Sequence, residues 1–201
     1  MGLAVSTWVI VLIKDFASAK QRLQPALGPR ERRDLAQRNA RLAVEAAAAG
    51  DRLLVVAGSD EVAALAEGWG AEVLAEPRQE GQNVAAARGI AKAVEGGAGA
   101  VLLLSSDLPL VTVDAVRDVL DSAARLDAPV AVAVPAVGRG GTNALYLRPP
   151  HAISLHFGSD SLAKFRQQAQ HLGVTFVVHH SDAMALDLDE PGDLARLRRA
   201  V

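Results

Sequence analysis

Cysteine is absent from this 201-residue chain. That excludes disulfides and thiolate metal ligation, and it fits a reducing, cytoplasmic setting. Aromatic residues make up only 3% of the chain, so any core must be built from Ala, Val and Leu. No apolar run approaches the ~20 residues that cross a bilayer, and no basic stretch leads into an apolar one at the start. A membrane role is therefore not expected. Charge of one sign is not in excess either: the formal net charge is −2, which argues against a general nucleic-acid binder. Histidine is present at positions 151, 156, 171, 179 and 180, with no spacing suited to a zinc site or a catalytic triad. Neither internal repeats nor low-complexity linkers occur. Half of the residues are hydrophobic, and the expectation is a single domain over 1–201 with a substantial core.

What is present is organised around Val101 to Leu110, VLLLSSDLPL. The unbroken apolar run from Ala100 to Leu104 reads as a strand buried on both faces, because a half-buried strand would alternate. It then breaks into Ser105, Ser106 and Asp107, with Pro109 close behind. In an open parallel sheet, ligands bind outside the carboxyl ends of the strands. A carboxylate there can hold a divalent cation against a phosphate. Asp107 can equally serve as a turn or capping residue, a common place for Asp near Pro.

Elsewhere, strands are expected at Trp8–Ile13, Arg52–Ala57, Glu72–Leu74, Val130–Pro135, Ala144–Leu147 and Thr175–Val178. Helices are expected over 30–49 behind Pro29, over 61–67, from just after Asn83 to about Glu95, over 112–124, from about Ser159 to His171, and over 192–199. Strand–helix alternation runs to about Leu120 and then gives way to a mixed region. The expected fold is an α/β domain with an antiparallel or appended edge.

Further stretches bear on chemistry. Lys14, Lys20 and Arg22 follow the first strand closely, where cations can cradle a triphosphate or simply form a solvated basic turn. Gly81, Gln82 and Asn83 open a helix, so Asn83 reads as an N-cap or as an amide facing a nucleoside. The segment AVGRGGTN before the Ala144 strand, with Thr142 and Asn143, suits either an anion-binding loop or a plain hairpin. Gly158, Ser159 and Ser161 mark a helix start that is either an anion site or an ordinary cap. Late in the chain, LDLDEPGDL places Asp187 and Asp189 two apart, so in extended backbone both carboxylates share a face. An acidic helix entrance explains Asp189, Glu190 and Asp193 but leaves Asp187 without a role.

Taken in order, KDFASAKQRL, EGQN, LLLSSDLPL, GGTNAL, FGSDSL and LDLDEPGDL resemble the guanylyltransferases of deazaflavin coenzyme (coenzyme F-420) biosynthesis. The resemblance spans essentially the whole chain. It implies a nucleotide-diphospho-sugar-transferase-like α/β fold, with a mixed, mostly parallel sheet flanked by helices, related to the molybdopterin guanylyltransferases. It also implies a cytoplasmic enzyme that joins GTP to a small phosphorylated acid and releases pyrophosphate. The acceptor would be phosphoenolpyruvate, with 2-phospho-L-lactate and 3-phospho-D-glycerate as the alternatives. By position, Asp107, Asp187 and Asp189 would hold Mg²⁺, and Thr142, Gly158 and Ser161 would contact the acceptor. Lys14, Lys20 and Arg22 would face the GTP phosphates, Gly81 and Asn83 would lie near the nucleoside, and catalysis would centre on Asp107, Lys14 and Lys20. A molybdopterin-type enzyme would carry a glycine-rich signature after the first strand, and KDFASAKQRL has no glycine. The alternative outside enzymology is a non-catalytic GTP-binding regulator on the same fold. A homodimer is the base-rate expectation for assembly.

Overall fold

The computed structural model describes residues 5–138 and 140–200. Seven strands form one sheet in the order β3-β2-β1-β4-β6-β5-β7. They are β1 (Thr7–Ile13), β2 (Arg52–Ala57), β3 (Glu72–Ala75), β4 (Ala100–Ser105), β5 (Val130–Pro135), β6 (Thr142–Arg148) and β7 (Thr175–Val178). Helices α1 (Pro29–Ala46), α2 (Asp60–Gly68), α3 (Gln82–Glu95), α4 (Val113–Ala124) and α5 (Ser161–Leu172) pack on its faces. Two more, α6 (Asp182–Ala185) and α7 (Pro191–Ala200), follow β7.

All the expected strands form, but the antiparallel one does not lie at an edge. β6 runs antiparallel between β4 and β5, whereas the last partner, β7, lies parallel to β5. The reason is in its side chains. Thr142 to Leu147 are all buried, with no polar alternation that would suit a half-exposed edge. The short connection from β5 also permits only a hairpin, since a parallel return needs a long crossover. This reversal matters for the site. It brings the start of β6, Thr142 and Asn143, to the same edge of the sheet as the carboxyl ends of β1, β2, β4 and β5.

Alternate residues of the strands feed two cores. Val9, Val11 and Ile13 face α1, α2 and α4 through Ala36, Ala40, Ala43, Val62 and Val116. Trp8 and Ile10 face α3 and α5 through Ala86, Ile90, Phe165 and Ala169. Small residues let the helices sit close, as the shortage of aromatics requires. Gly89 shows how close: a Cβ there would stand 2.8 Å from Ile10 Cγ2 and 2.9 Å from Val56 Cγ2. Helix α3 is thereby pressed onto β1 and β2, with its amino end at the carboxyl edge of the sheet. The first helix is begun by Pro29, and the Glu31 carboxylate accepts the Gly28 N–H at 2.7 Å, a capping arrangement.

A third, small cluster bears directly on function. Leu23, Leu35 and Leu188 are buried together, with Leu27, Leu186, Leu194 and Leu197 around them. Each fully buried leucine contributes roughly 2 kcal/mol. The cluster welds the loop carrying Lys20 and Arg22 to the segment carrying Asp187 and Asp189.

Candidate active site

The carboxyl edge of the sheet opens into a cavity of about 470 Å³. Its walls come from the ends of β1 and β4, the basic loop, the entrance of α3, the start of β6, residues 157–159, and Asp187 with Asp189.

At its centre stands Lys20. Its Nζ lies 2.7 Å from Asp107 Oδ1 and 3.9 Å from Asp189 Oδ1, with the side chain only 2% exposed. Arg22 Nη1 approaches Asp189 Oδ2 at 3.8 Å from a side chain that is largely in solvent. Lys20 is held in the left-handed region at φ 58°. A non-glycine residue pays about 1–3 kcal/mol there, so the surrounding structure must enforce it. Buried Phe16 and Leu23 anchor the loop on either side, and the Leu23 N–H donates to the Lys20 carbonyl at 2.9 Å. The basic stretch is therefore a built loop, with Lys20 aimed inward and Lys14 and Arg22 lining the same cavity.

Asp107 is placed by the end of β4. The Ser106 hydroxyl donates to the Leu12 carbonyl at 2.9 Å, tying β4 to β1, and Leu108 plugs the core behind. The Leu188 N–H donates to the Asp107 carbonyl at 3.2 Å. That bond brings the late acidic segment alongside. Leu188 points into the leucine cluster, so Asp187 and Asp189 turn together to the cavity. Asp193 pairs with Arg196 through Oδ1 at 3.6 Å and also serves the backbone. Its Oδ2 accepts from the N–H groups of Asp189 and Glu190 and holds the entrance of α7.

Three carboxylates on one cavity are hard oxygen donors of the kind that Mg²⁺ or Mn²⁺ takes. In the geometry seen here no three His, Cys, Asp or Glu groups among the described residues stand close enough to form a ready metal centre. A cationic group, the Lys20 ammonium, bridges two of the three instead. The donor chemistry fits a divalent ion.

Thr142 and Gly158 also line the cavity, and Gly158 adopts φ 120°, a conformation that disfavours side chains. Ser161 does not line it. Its hydroxyl is fully buried and donates to Thr142 Oγ1 at 2.9 Å, so it orients the threonine rather than reaching into the opening. Asn83 also differs from its expected place. Gly81 lines the cavity and caps α3, but the Asn83 amide is engaged by the backbone of Phe157.

Two residues without a local signature brace the surroundings of the cavity. Asn143 Nδ2 donates to the carbonyls of Met184 and Ala185 at 2.8 and 3.2 Å, stitching the β5–β6 hairpin to the helix that precedes Asp187. Arg88 clasps the loop after β3, donating to the carboxylates of Glu76 and Glu80 and to the Arg78 carbonyl. Nothing in the sequence marked these partners, which lie 8 to 42 residues away.

The geometry thus assembles cations, carboxylates and free glycine backbone at one sheet edge, which is where a nucleotide triphosphate and a phosphorylated acceptor can meet. Comparison with known proteins decides the family. The family model described as guanylyl transferase CofC like matches residues 7–198. The chain belongs to the CofC-like guanylyltransferases.

Relatives within this CofC-like group agree over nearly their whole length. A phosphoenolpyruvate guanylyltransferase of Rubrobacter xylanophilus is 40% identical over 197 residues, covering 96% of this chain and 94% of its own. Another of that name, from Conexibacter woesei, is 36% identical over 98% of this chain and 89% of its own. A 2-phospho-L-lactate guanylyltransferase of Methanothermobacter thermautotrophicus is 33% identical over 96% of this chain and 84% of its own. In fold, the CofC-like chain is similar to a putative nucleotide-diphospho-sugar transferase from Desulfovibrio desulfuricans. The TM-score is 0.77 at 18% identity, covering 96% of this chain and 87% of that one.

Under the proposal below that Thr142 contacts the acceptor, Ser161→Ala is expected to raise the KM of the acceptor about tenfold, with a smaller change in kcat. Thr142 Oγ1 then loses the donor that orients it. Steady-state pyrophosphate release against acceptor concentration checks this.

Proposed function

We propose that this chain joins GTP to phosphoenolpyruvate, releasing pyrophosphate, with Mg²⁺ held by Asp107, Asp187 and Asp189. An acceptor phosphate oxygen attacks the α-phosphorus of GTP; the bond from that phosphorus to the oxygen bridging to the β-phosphate breaks, and pyrophosphate departs. The enzyme supplies no nucleophile, so its work is placement and stabilisation of developing negative charge. The observation that carries this reading is the buried Lys20 ammonium set between Asp107 and Asp189 in the cavity. It puts a desolvated cation beside the carboxylates, where phosphate charge must be met.

Lys14 and Arg22 extend this positive wall towards solvent and would receive the outer phosphates of GTP. Gly81, which caps the amino end of α3 and lines the cavity, would lie near the nucleoside. Thr142 and the exposed backbone of Gly158 would hold the acceptor. Mg²⁺, when bound, would neutralise the phosphates and favour departure of pyrophosphate. Support for phosphoenolpyruvate comes from relatives of that name at 36% and 40% identity, above the 33% of the phospholactate enzyme. The product would serve coenzyme F-420 biosynthesis.

The test follows a reaction of GTP, Mg²⁺ and phosphoenolpyruvate by phosphorus NMR. Pyrophosphate and a new asymmetric diphosphate should appear together, and chelation of the metal should stop both. GTP binding without either signal, for any of the three acceptors, would favour a non-catalytic regulator.

A further inference from the structure

The Asn83 side chain behaves as a piece of sheet. Its Oδ1 accepts the Phe157 N–H at 2.8 Å, and its Nδ2 donates to the Phe157 carbonyl at 3.2 Å. An amide that exchanges both bonds with one residue copies the pairing of antiparallel strands. Both ends of that amide are therefore used by backbone 74 residues away. Asn83 itself sits in the first turn of α3, fixed by the Ala85 N–H donating to the Gly81 carbonyl at 3.1 Å and by the close seat of Gly89 on β1 and β2.

The other side of the clasp is the loop before α5. The Phe157 ring packs edge-on against buried Phe165 at 5.3 Å, so its side chain is anchored in the core while its backbone is anchored by Asn83. Gly158 follows at φ 120°, lining the cavity, and its carbonyl accepts the Ser161 N–H at 3.2 Å. On the near side, Gly81 and Gln82 line the same cavity just before Asn83 in the chain. A single side chain thus spans the two walls.

We infer that Asn83 is a positioning residue for the acceptor loop: it holds Phe157, and so the Gly158 backbone, at a fixed distance from the entrance of α3. This rests on the proposed reading, in which Gly158 faces the acceptor. It assigns Asn83 to the acceptor and not to the nucleoside. A loop misplaced by about 1 Å can cost on the order of 100-fold in a bimolecular alignment.

The experiment measures steady-state pyrophosphate release with GTP and phosphoenolpyruvate varied in turn, for wild type, Asn83→Ala and Asn83→Asp. The alanine variant should raise the acceptor KM about 10- to 100-fold while the GTP KM stays within about twofold. Asp keeps the shape and the acceptor for the Phe157 N–H but sets a carboxylate oxygen against its carbonyl in place of the donating Nδ2. Asn83→Asp should therefore raise the acceptor KM at least as far as alanine does. If the alanine variant does not fold, the aspartate variant carries the same comparison of KM values. A merely structural role would lower kcat and the melting temperature with both KM values unchanged. That pattern, or a rise in the GTP KM alone, overturns the inference. A wild type silent with every acceptor overturns the functional reading and this inference with it. An active wild type with an acceptor KM indifferent to Asn83 overturns the inference only.

Discussion

Asp107→Asn is expected to lower kcat/KM by on the order of 1,000-fold or more while the chain stays folded. The two parts of that result have separate causes. Asp107 is 40% exposed in its side chain and fills no core position, so an amide of the same shape leaves the packing untouched. Its carbonyl, not its carboxylate, carries the bond from Leu188. The carboxylate is what the substitution removes, and with it the closest partner of Lys20 and a hard donor for a divalent ion. The Lys20 ammonium keeps Asp189 at 3.9 Å and gains an amide oxygen, so the melting temperature should fall by only a few degrees. Pyrophosphate release and a thermal melt on the same sample check both halves. Near-normal turnover would remove Asp107 from the reaction.

Lys20→Met is expected to lower kcat about 100- to 1,000-fold, more than it raises the KM for GTP. Methionine keeps an unbranched side chain in a slot that is 2% exposed, so the packed part of the lysine is largely replaced. What disappears is a cation shielded from water, where its field is strongest. Exposed Arg22 cannot substitute: it stands in solvent and approaches Asp189 at 3.8 Å. Lys20→Arg should not rescue fully, because a planar guanidinium does not match the compact ammonium in that slot. A kcat within about threefold of wild type for Lys20→Met would make the lysine a structural partner of Asp107 and nothing more.

How far the sequence spoke can be read from particular residues. β4 was visible because an unbroken apolar run can only be buried, and Asp107 because that run breaks into a carboxylate at the functional edge. The shared face of Asp187 and Asp189 was visible because Leu188 stands between them and turns to the opposite side. Less was legible where a partner is remote in the chain. No local pattern says that β6 inserts between β4 and β5, since strand order is set by long-range packing. The left-handed backbone of Lys20 is imposed by its loop, and lysine carries no preference for it. The residues alone leave both helix entrances open to ordinary capping, while the family resemblance puts Ser161 with the acceptor and Asn83 near the nucleoside. Their polar atoms instead serve Thr142 and Phe157, 19 and 74 residues away.

Acceptor choice tests the account most directly. Phosphoenolpyruvate and 2-phospho-L-lactate differ by a single reduced double bond, a difference for which a pocket discriminates by only ~1–3 kcal/mol. 3-Phospho-D-glycerate carries its phosphate one carbon further from the carboxylate. Equal concentrations of all three, mixed with GTP, Mg²⁺ and the enzyme, should be converted mainly to guanylylated phosphoenolpyruvate, in about tenfold excess by mass spectrometry. A guanylylated phospholactate or phosphoglycerate in excess would contradict the assignment of the acceptor, and the absence of any such diphosphate would contradict the proposed reaction itself.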